Sequence, residues 1–592
     1  MMAIVNRADY SPKLIFDLRE HYWLMICHLC QLNQLILGWP LWEQFRLVKS
    51  HPSPSGSIFG LAEYLASLAL FLVVMTISDF RYQYRLSLAK TDLRKVGFWF
   101  GLGVGAAILA TDFWYENEFF IPKLISNPNN LKATLGLVFL TFVFRAIYVA
   151  VIRPPVFSKR NAKQFFEINY HLIHQGNPDR LQVLAEELRR SMGTIVAYAA
   201  KVKHVKDENA RENIPQHQAY AHDFLLLIGD QRFCKVVVDK VPAFAFVCFQ
   251  EAQKYQLIHL PIFQFARNVG QEFIRNTNSS FYQEDSGYYS GLVGYARPAT
   301  KIIFGSYEFI EKCAGDGESP IDTDYREFGE FNEKQMEGYS RASLAFLDGC
   351  LAVTRGRYYP HSYALARMLG SFESSISGVY QIDGKEHYLK MPEYGHLKVT
   401  VDFINHAITL VEKHAVRPKT LRISDPLHAD IYDDLANLIF KTIDAASSVS
   451  SPVWTSWAIQ YNAVWGSIFG FRDNSTCKII KLKVRRLLYG KIKEMDKFAN
   501  FQGAHILGYC LNVLGLKLTD RHKGFQKEFY PLQAAALSWT KANYKKLLAD
   551  HPKVAKACLQ GTVSYDAEHH RLVKTYSNAT EKEPVREFFE LD

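Results

Sequence analysis

The first quarter of the chain has a different hydrophobic pattern from the rest. Residues 58–78, 96–115 and 133–152 stay apolar on every face for about 20 residues each. At 1.5 Å per residue, such a length matches the roughly 30 Å hydrocarbon core of a bilayer. A helix on the surface of a soluble domain keeps a polar face, so three such runs in succession predict transmembrane helices. Segment 21–42 is weaker, because His21, His28, Gln31, Asn33 and Gln34 oppose insertion. It reads as a fourth span or an interfacial helix, with a span preferred.

Beyond about residue 160 the apolar positions recur at i, i+3 and i+4, the helical period. Residues 160–176 run to Gly176, and the next helix starts at Asn177-Pro178. Further helices are predicted at 215–229, 242–256, 261–275, 332–352, 398–414, 430–447, 478–498 and 532–548. Strand-like alternation is rare, and its best instance, 562–576, predicts a C-terminal β-hairpin. No repeat with a period of 20–50 residues is present.

The expected fold is therefore mainly α. A transmembrane bundle of three or four spans (1–155) is followed by a large helical cytoplasmic domain. The acidic, turn-rich loop 314–331 divides that domain into regions 156–315 and 332–592. The charged tail after about 577 is expected to be mobile.

Charge supplies an orientation. The loop 81–95 carries Arg81, Arg85, Lys90, Arg94 and Lys95, whereas 116–131 carries only Lys123 beside Glu116 and Glu118. Arg153, Lys159, Arg160 and Lys163 follow the last span. The positive-inside rule makes both basic stretches cytoplasmic. The chain is thus expected to be a multi-pass protein of the cell (inner or plasma) membrane with its C-terminal domain inside. Four spans also place Arg7, Lys13 and Arg19 inside. The first residues show no pattern of a cleavable signal peptide.

Composition adds little more. The net charge of +10 suits an anionic inner leaflet and is too diffuse to indicate specific nucleic-acid binding. Nine cysteines without repeated spacing point to a reducing compartment, and the Cys27-x-x-Cys30 pair lacks a partner pair for zinc. Walker, Rossmann, HExxH, GxSxG and kinase signatures are missing, which removes the commonest ATP-driven and hydrolytic classes and names no cofactor.

Two features of the apolar segments bear on function. Gly97, Gly101 and Gly105 form a small-residue stripe, suited to oligomerisation or to packing within one bundle. Arg145 falls about 10 Å deep, measured from the cytoplasmic end of its helix at 1.5 Å per residue. It either snorkels toward the interface near Asp79 or lines a polar path; Glu63 and Asp112 lie near the other end.

In the cytoplasmic region, 275–297 is the most site-like stretch, with Arg275, Glu284, Asp285, Tyr288 and Arg297 as candidate ligand-binding residues. The plain alternative is a capped connection between helices. Asp425, His428, Asp430 and Asp433 are candidate metal ligands, although the acidic start of a helix is the preferred reading. His217 and His222-Asp223 have the composition of a metal phosphohydrolase motif without its remaining ligands. Helix 478–498 carries eight Lys or Arg residues and reads as a surface for the anionic inner leaflet.

These readings favour a membrane protein with a cytoplasmic sensing domain, oligomeric and either channel-like or signalling. A membrane-anchored enzyme at the inner leaflet and a scaffold without chemistry are the alternatives.

Overall fold

The computed structural model describes residues 47–49, 60–77, 79–89, 93–122, 127–202, 214–255, 260–284, 297–324, 328–354, 362–424, 429–449, 452–470, 474–518, 527–576 and 584–592. The described chain is mainly helical with few strands. It divides into two compact units, 1–156 and 157–592.

In the first unit, strand β1 (Leu47–Lys49) pairs antiparallel with β2 (Phe120–Pro122). Four helices accompany them: α1 (Leu61–Ile77), α2 (Phe80–Ser87), α3 (Leu93–Glu116) and α4 (Pro128–Ile147). Helix α4 widens into a π-helical turn over Tyr148–Ile152.

Among the described residues two helical stretches, Val96–Glu116 and Pro128–Ile152, are long and apolar enough to cross a membrane, where three or four spans are expected of the chain. Helix α1 has 17 residues, about 25 Å at 1.5 Å per residue. Segment 21–42 lies outside the described residues. The basic loop after α1 contains the amphipathic helix α2, started by the Asp79 side chain. Its Arg85 is buried and donates from Nη1 to the Ala150 carbonyl at 2.8 Å.

A small core of Tyr64, Val104, Ile108 and Phe139 joins α1, α3 and α4. The glycine stripe serves this core. A Cβ on Gly105 would stand 2.8 Å from the Tyr64 ring, and one on Gly101 would stand 3.1 Å from Leu68. The Tyr64 hydroxyl donates to the Gly101 carbonyl, and its ring meets Phe139 edge-on at 5.5 Å. At Gly101 and Gly105, then, the missing side chains make room for α1 of the same chain.

The second unit opens with α5 (Ala162–Gln175), α6 (Pro178–Leu188), α7 (Met192–Ala199), α8 (Gln216–Leu227), α9 (Gln231–Lys240) and α10 (Pro242–Gln253). Gly176 closes α5 with a left-handed φ of +69°, and the Asn177 side chain caps α6. Next come α11 (Phe263–Arg275), a π-helical segment Ala299–Phe304, α12 (Tyr307–Asp316), α13 (Glu333–Thr354), α14 (Tyr363–Ser375) and α15 (Pro392–Lys413). The last helices are α16 (Ile431–Ser447), a π-containing stretch over Val453–Phe469, α17 (Ser475–Glu494), α18 (Phe501–Leu514), α19 (Tyr530–Asp550) and α20 (Pro552–Ala557).

The predicted hairpin is β3 (Val563–Asp566) with β4 (Arg571–Tyr576). The tail beyond it, expected to be mobile, supplies a third antiparallel strand, β5 (Val585–Glu590). Glu587 accepts the Leu516 amide at 2.9 Å, and Arg571 lies 4.3 Å over the Phe588 ring, so side-chain contacts reinforce the ladder.

Candidate functional site

One open, partly polar cleft in the second unit has a volume of about 480 Å³. Helix α11 brings Arg267 to it. Helix α12 ends at Gly317, whose φ of +156° with ψ of −72° suits glycine alone. The loop 317–324 then folds back between α11 and α14, against Gly270 of α11, where a Cβ would collide with the Pro320 carbonyl. Helix α14 contributes Arg367, Gly370, Ser371 and Ser374.

Arg367 fixes the loop. Its Nη1 donates to the Gly317 carbonyl and to Asp322 Oδ2, both at 2.8 Å, and Nη2 donates to the Ala314 carbonyl at 3.1 Å. The Ser319 amide donates to Asp322 Oδ2 at 2.7 Å. Arg267 holds Glu318 Oε1 at 2.7 Å with both side chains partly in water. An exposed pair of this kind contributes about 0–1 kcal/mol, so it exchanges readily. The buried Phe328 ring adds an apolar wall, packed on Phe331 and Tyr339.

Several buried polar atoms around the cleft have no hydrogen-bond partner among the described residues: Arg267 Nε, Ser319 Oγ, Asp322 Oδ1 and Tyr339 Oη. The Tyr339 hydroxyl lies beside those of Ser371 and Ser343 without an aligned bond. A polar atom left unpaired away from water costs about 1–3 kcal/mol, so each of these atoms calls for a partner, water included.

The sequence reading places its candidate ligand residues at 275–297. Asp285 and Tyr288 lie outside the described residues. The Glu284 carboxylate accepts the Ala299 amide at 2.5 Å, the Thr300 amide at 3.2 Å and the Thr300 hydroxyl at 2.6 Å. It therefore caps the π-helical segment, the plain reading of that loop. Arg275 and Arg297 are exposed, and the Arg275 carbonyl accepts Gln335 Nε2 at 2.8 Å.

Of the expected metal ligands, Asp425 and His428 lie outside the described residues. Asp430 and Asp433 form a reciprocal capping box at the start of α16. Asp433 also takes the buried Lys483 ammonium at 2.6 Å, and Lys483 donates to the Arg422 carbonyl at 2.9 Å. Backbone amides and an ammonium thus occupy the oxygens a cation would need. No group of three or more potential ligands stands together among the described residues. His217 meets the Tyr198 ring edge-on, and His222 contacts Asp223 at 3.3 Å.

The basic helix α17 is largely a core element. Lys481 and Lys483 are buried, Lys481 pairs with Glu528 at 2.8 Å, and Arg485 donates to the Glu528 carbonyl at 2.6 Å. Lys478, Arg486, Lys493 and Lys497 remain exposed. In the first unit Arg145 is exposed on α4, while the buried Lys132 pairs with Asp112.

Burial moves two further groups. Asp434 is pushed up to about 7 by its surroundings and then by the Asp433 and Asp430 charges. Lys574 is pushed down to about 8 by burial against the pull of Glu587.

Sequence reasoning missed Arg267 and Arg367 because each is a single cation on a mostly apolar helix, far from the other along the chain. The available signal was the turn-rich loop 314–331, which was read as a boundary. No family model, curated protein or solved structure matches the chain.

Proposed function

We propose that the protein is a multi-pass membrane receptor whose C-terminal domain lies in the cytoplasm and binds a small polar ligand in the Arg267–Arg367 cleft. The observation that carries the membrane part is exposure. Phe98, Trp99, Leu137 and Phe144 are 58%, 68%, 64% and 62% accessible on α3 and α4. A soluble surface seldom leaves so large a run of rings and aliphatic chains in water, whereas a bilayer covers them. The Lys and Arg bias around 81–95 and 153–163 favours a cytoplasmic second unit.

Arg145 supports an oligomeric, channel-like response. A guanidinium on an apolar face costs several kcal/mol in hydrocarbon unless it reaches water or a partner. Neighbouring copies that enclose it supply both. Because Gly101 and Gly105 face Tyr64 and Leu68 of their own chain, the contacts between copies fall to the exposed aromatic faces. The exposed cations of α17 are available to the anionic inner leaflet.

Alkaline extraction of cell membranes, followed by protease protection in sealed vesicles, tests the anchor and its orientation. Release into the supernatant overturns the anchor, and cleavage of the second unit from the outer side overturns the orientation. For the channel-like response, dye leakage from cells expressing wild type should change in Arg145→Ala. Identical permeability of wild type, variant and empty cells under every trigger removes it.

A further inference from the structure

We infer that the cleft ligand is a small hydroxylated anion, a phosphate ester or a carboxylate that also carries hydroxyl groups. This deepens the receptor reading and rests on it. The cleft offers two kinds of unfilled valence at once. Among the described residues Arg267 Nε is a cationic donor without an acceptor, and its Nη1 is held by the partly exposed Glu318. A ligand oxyanion takes over from Glu318 and satisfies Nε in the two-pronged manner that suits guanidinium.

Among the described residues Asp322 Oδ1 is an acceptor without a donor, and it repels a bare anion. A ligand hydroxyl satisfies it. The Thr323 and Ser371 hydroxyls, 3.3 Å apart, and Ser374 extend the same preference along the cleft. Arg367 is not the anchor, because three acceptors already hold it. Gly370 leaves the floor open, and a Cβ there would meet nothing within 4 Å.

Thermal unfolding of the full chain in detergent, at constant ionic strength, tests this with glycerol 3-phosphate, gluconate and dioctanoyl phosphatidylglycerol as probes. Glycerol and inorganic phosphate are the controls. At least one probe should raise Tm saturably and by more than either control. A response to phosphatidylglycerol alone identifies a lipid headgroup, and a response to the other two a free metabolite.

Arg267→Gln should weaken binding about tenfold or more, the worth of one charge-assisted hydrogen bond. Gly370→Leu should abolish binding by filling the cleft without lowering the unliganded Tm, since leucine favours the helix over glycine, and Arg571→Gln on the β-sheet should bind normally. The inference is overturned if no probe shifts Tm, or if the shift survives Gly370→Leu. If glycerol alone shifts Tm and Gly370→Leu removes that shift, the anion is wrong and the receptor cleft stands.

Discussion

Lys483 holds its ammonium 2.6 Å from the Asp433 carboxylate with both side chains shut away from water. The two residues come from α17 and the first turn of α16, so one ion pair ties the basic helix to the acidic helix start. Removing one partner leaves an uncompensated buried charge. Lys483→Met should therefore lower stability by about 3–5 kcal/mol in chemical denaturation of the detergent-solubilised chain. Arg486→Met, on the same helix, removes only a surface hydrogen bond to the Leu421 carbonyl and should cost less, about 0.5–1.5 kcal/mol. Equal effects would mean that the pair is not the tie.

Asp434 gives an acid-side signature. Its folded value of about 7 lies above the ordinary 3.8, so the folded state holds the proton more tightly than the unfolded chain. The stabilising contribution is complete below about pH 4 and is lost as pH rises to about 7. Asp434→Asn should flatten the stability profile across that window. An unchanged slope in denaturant midpoints between pH 4 and 7 would remove the assignment.

Lys574 acts on the alkaline side with the opposite proton balance. Its folded value of about 8 lies below the ordinary 10.5, so the unfolded chain binds the proton more tightly. The contribution is present above about pH 10.5 and is lost as pH falls to about 8. The amine donates to the Asn512 carbonyl at 2.6 Å, a bond that survives loss of the charge, and lies 4.6 Å from the Tyr576 ring centre, a cation–π contact that does not. Lys574→Met should abolish the rise in stability between pH 8 and 10.5.

Much of the helical framework was legible because it rests on local pattern. Gly176 and Asn177-Pro178 end one helix and begin the next through backbone conformation and capping alone. The period-two run at 562–576 gave the hairpin in the same way. What the pattern could not reveal depends on distant partners. Lys483 and Asp433 are 50 positions apart, and nothing near Lys483 tells a buried lysine from a solvated one. Strand β5 was hidden because its six residues gain order only on β4. The cleft was hidden for a similar reason, since the loop 317–324 becomes a wall only when Arg367 grips it.

Glu284 should behave as a cap. Glu284→Ala removes the acceptor for two backbone amides and one hydroxyl, with an expected cost of about 0.5–2 kcal/mol. Tm shifts from cleft probes should be unaltered in this variant. Loss of those shifts without a stability change would return Glu284 to a binding role.

Gly105 separates the two uses of a glycine stripe. Gly105→Val drives a branched side chain into Tyr64, and overpacking of this kind costs about 1–3 kcal/mol. Thermal melting in detergent should show that loss with the size-exclusion profile of the folded fraction unchanged. A shift in oligomeric state at constant Tm would instead place the stripe between copies.

The hydrogen bond from Arg85 to the Ala150 carbonyl joins a permanent cation to a neutral peptide group. A guanidinium keeps its protons through any physiological acidity, and the carbonyl has no charge for dissolved ions to mask. This joint between α2 and the π turn after α4 therefore keeps its strength in acid and in brine.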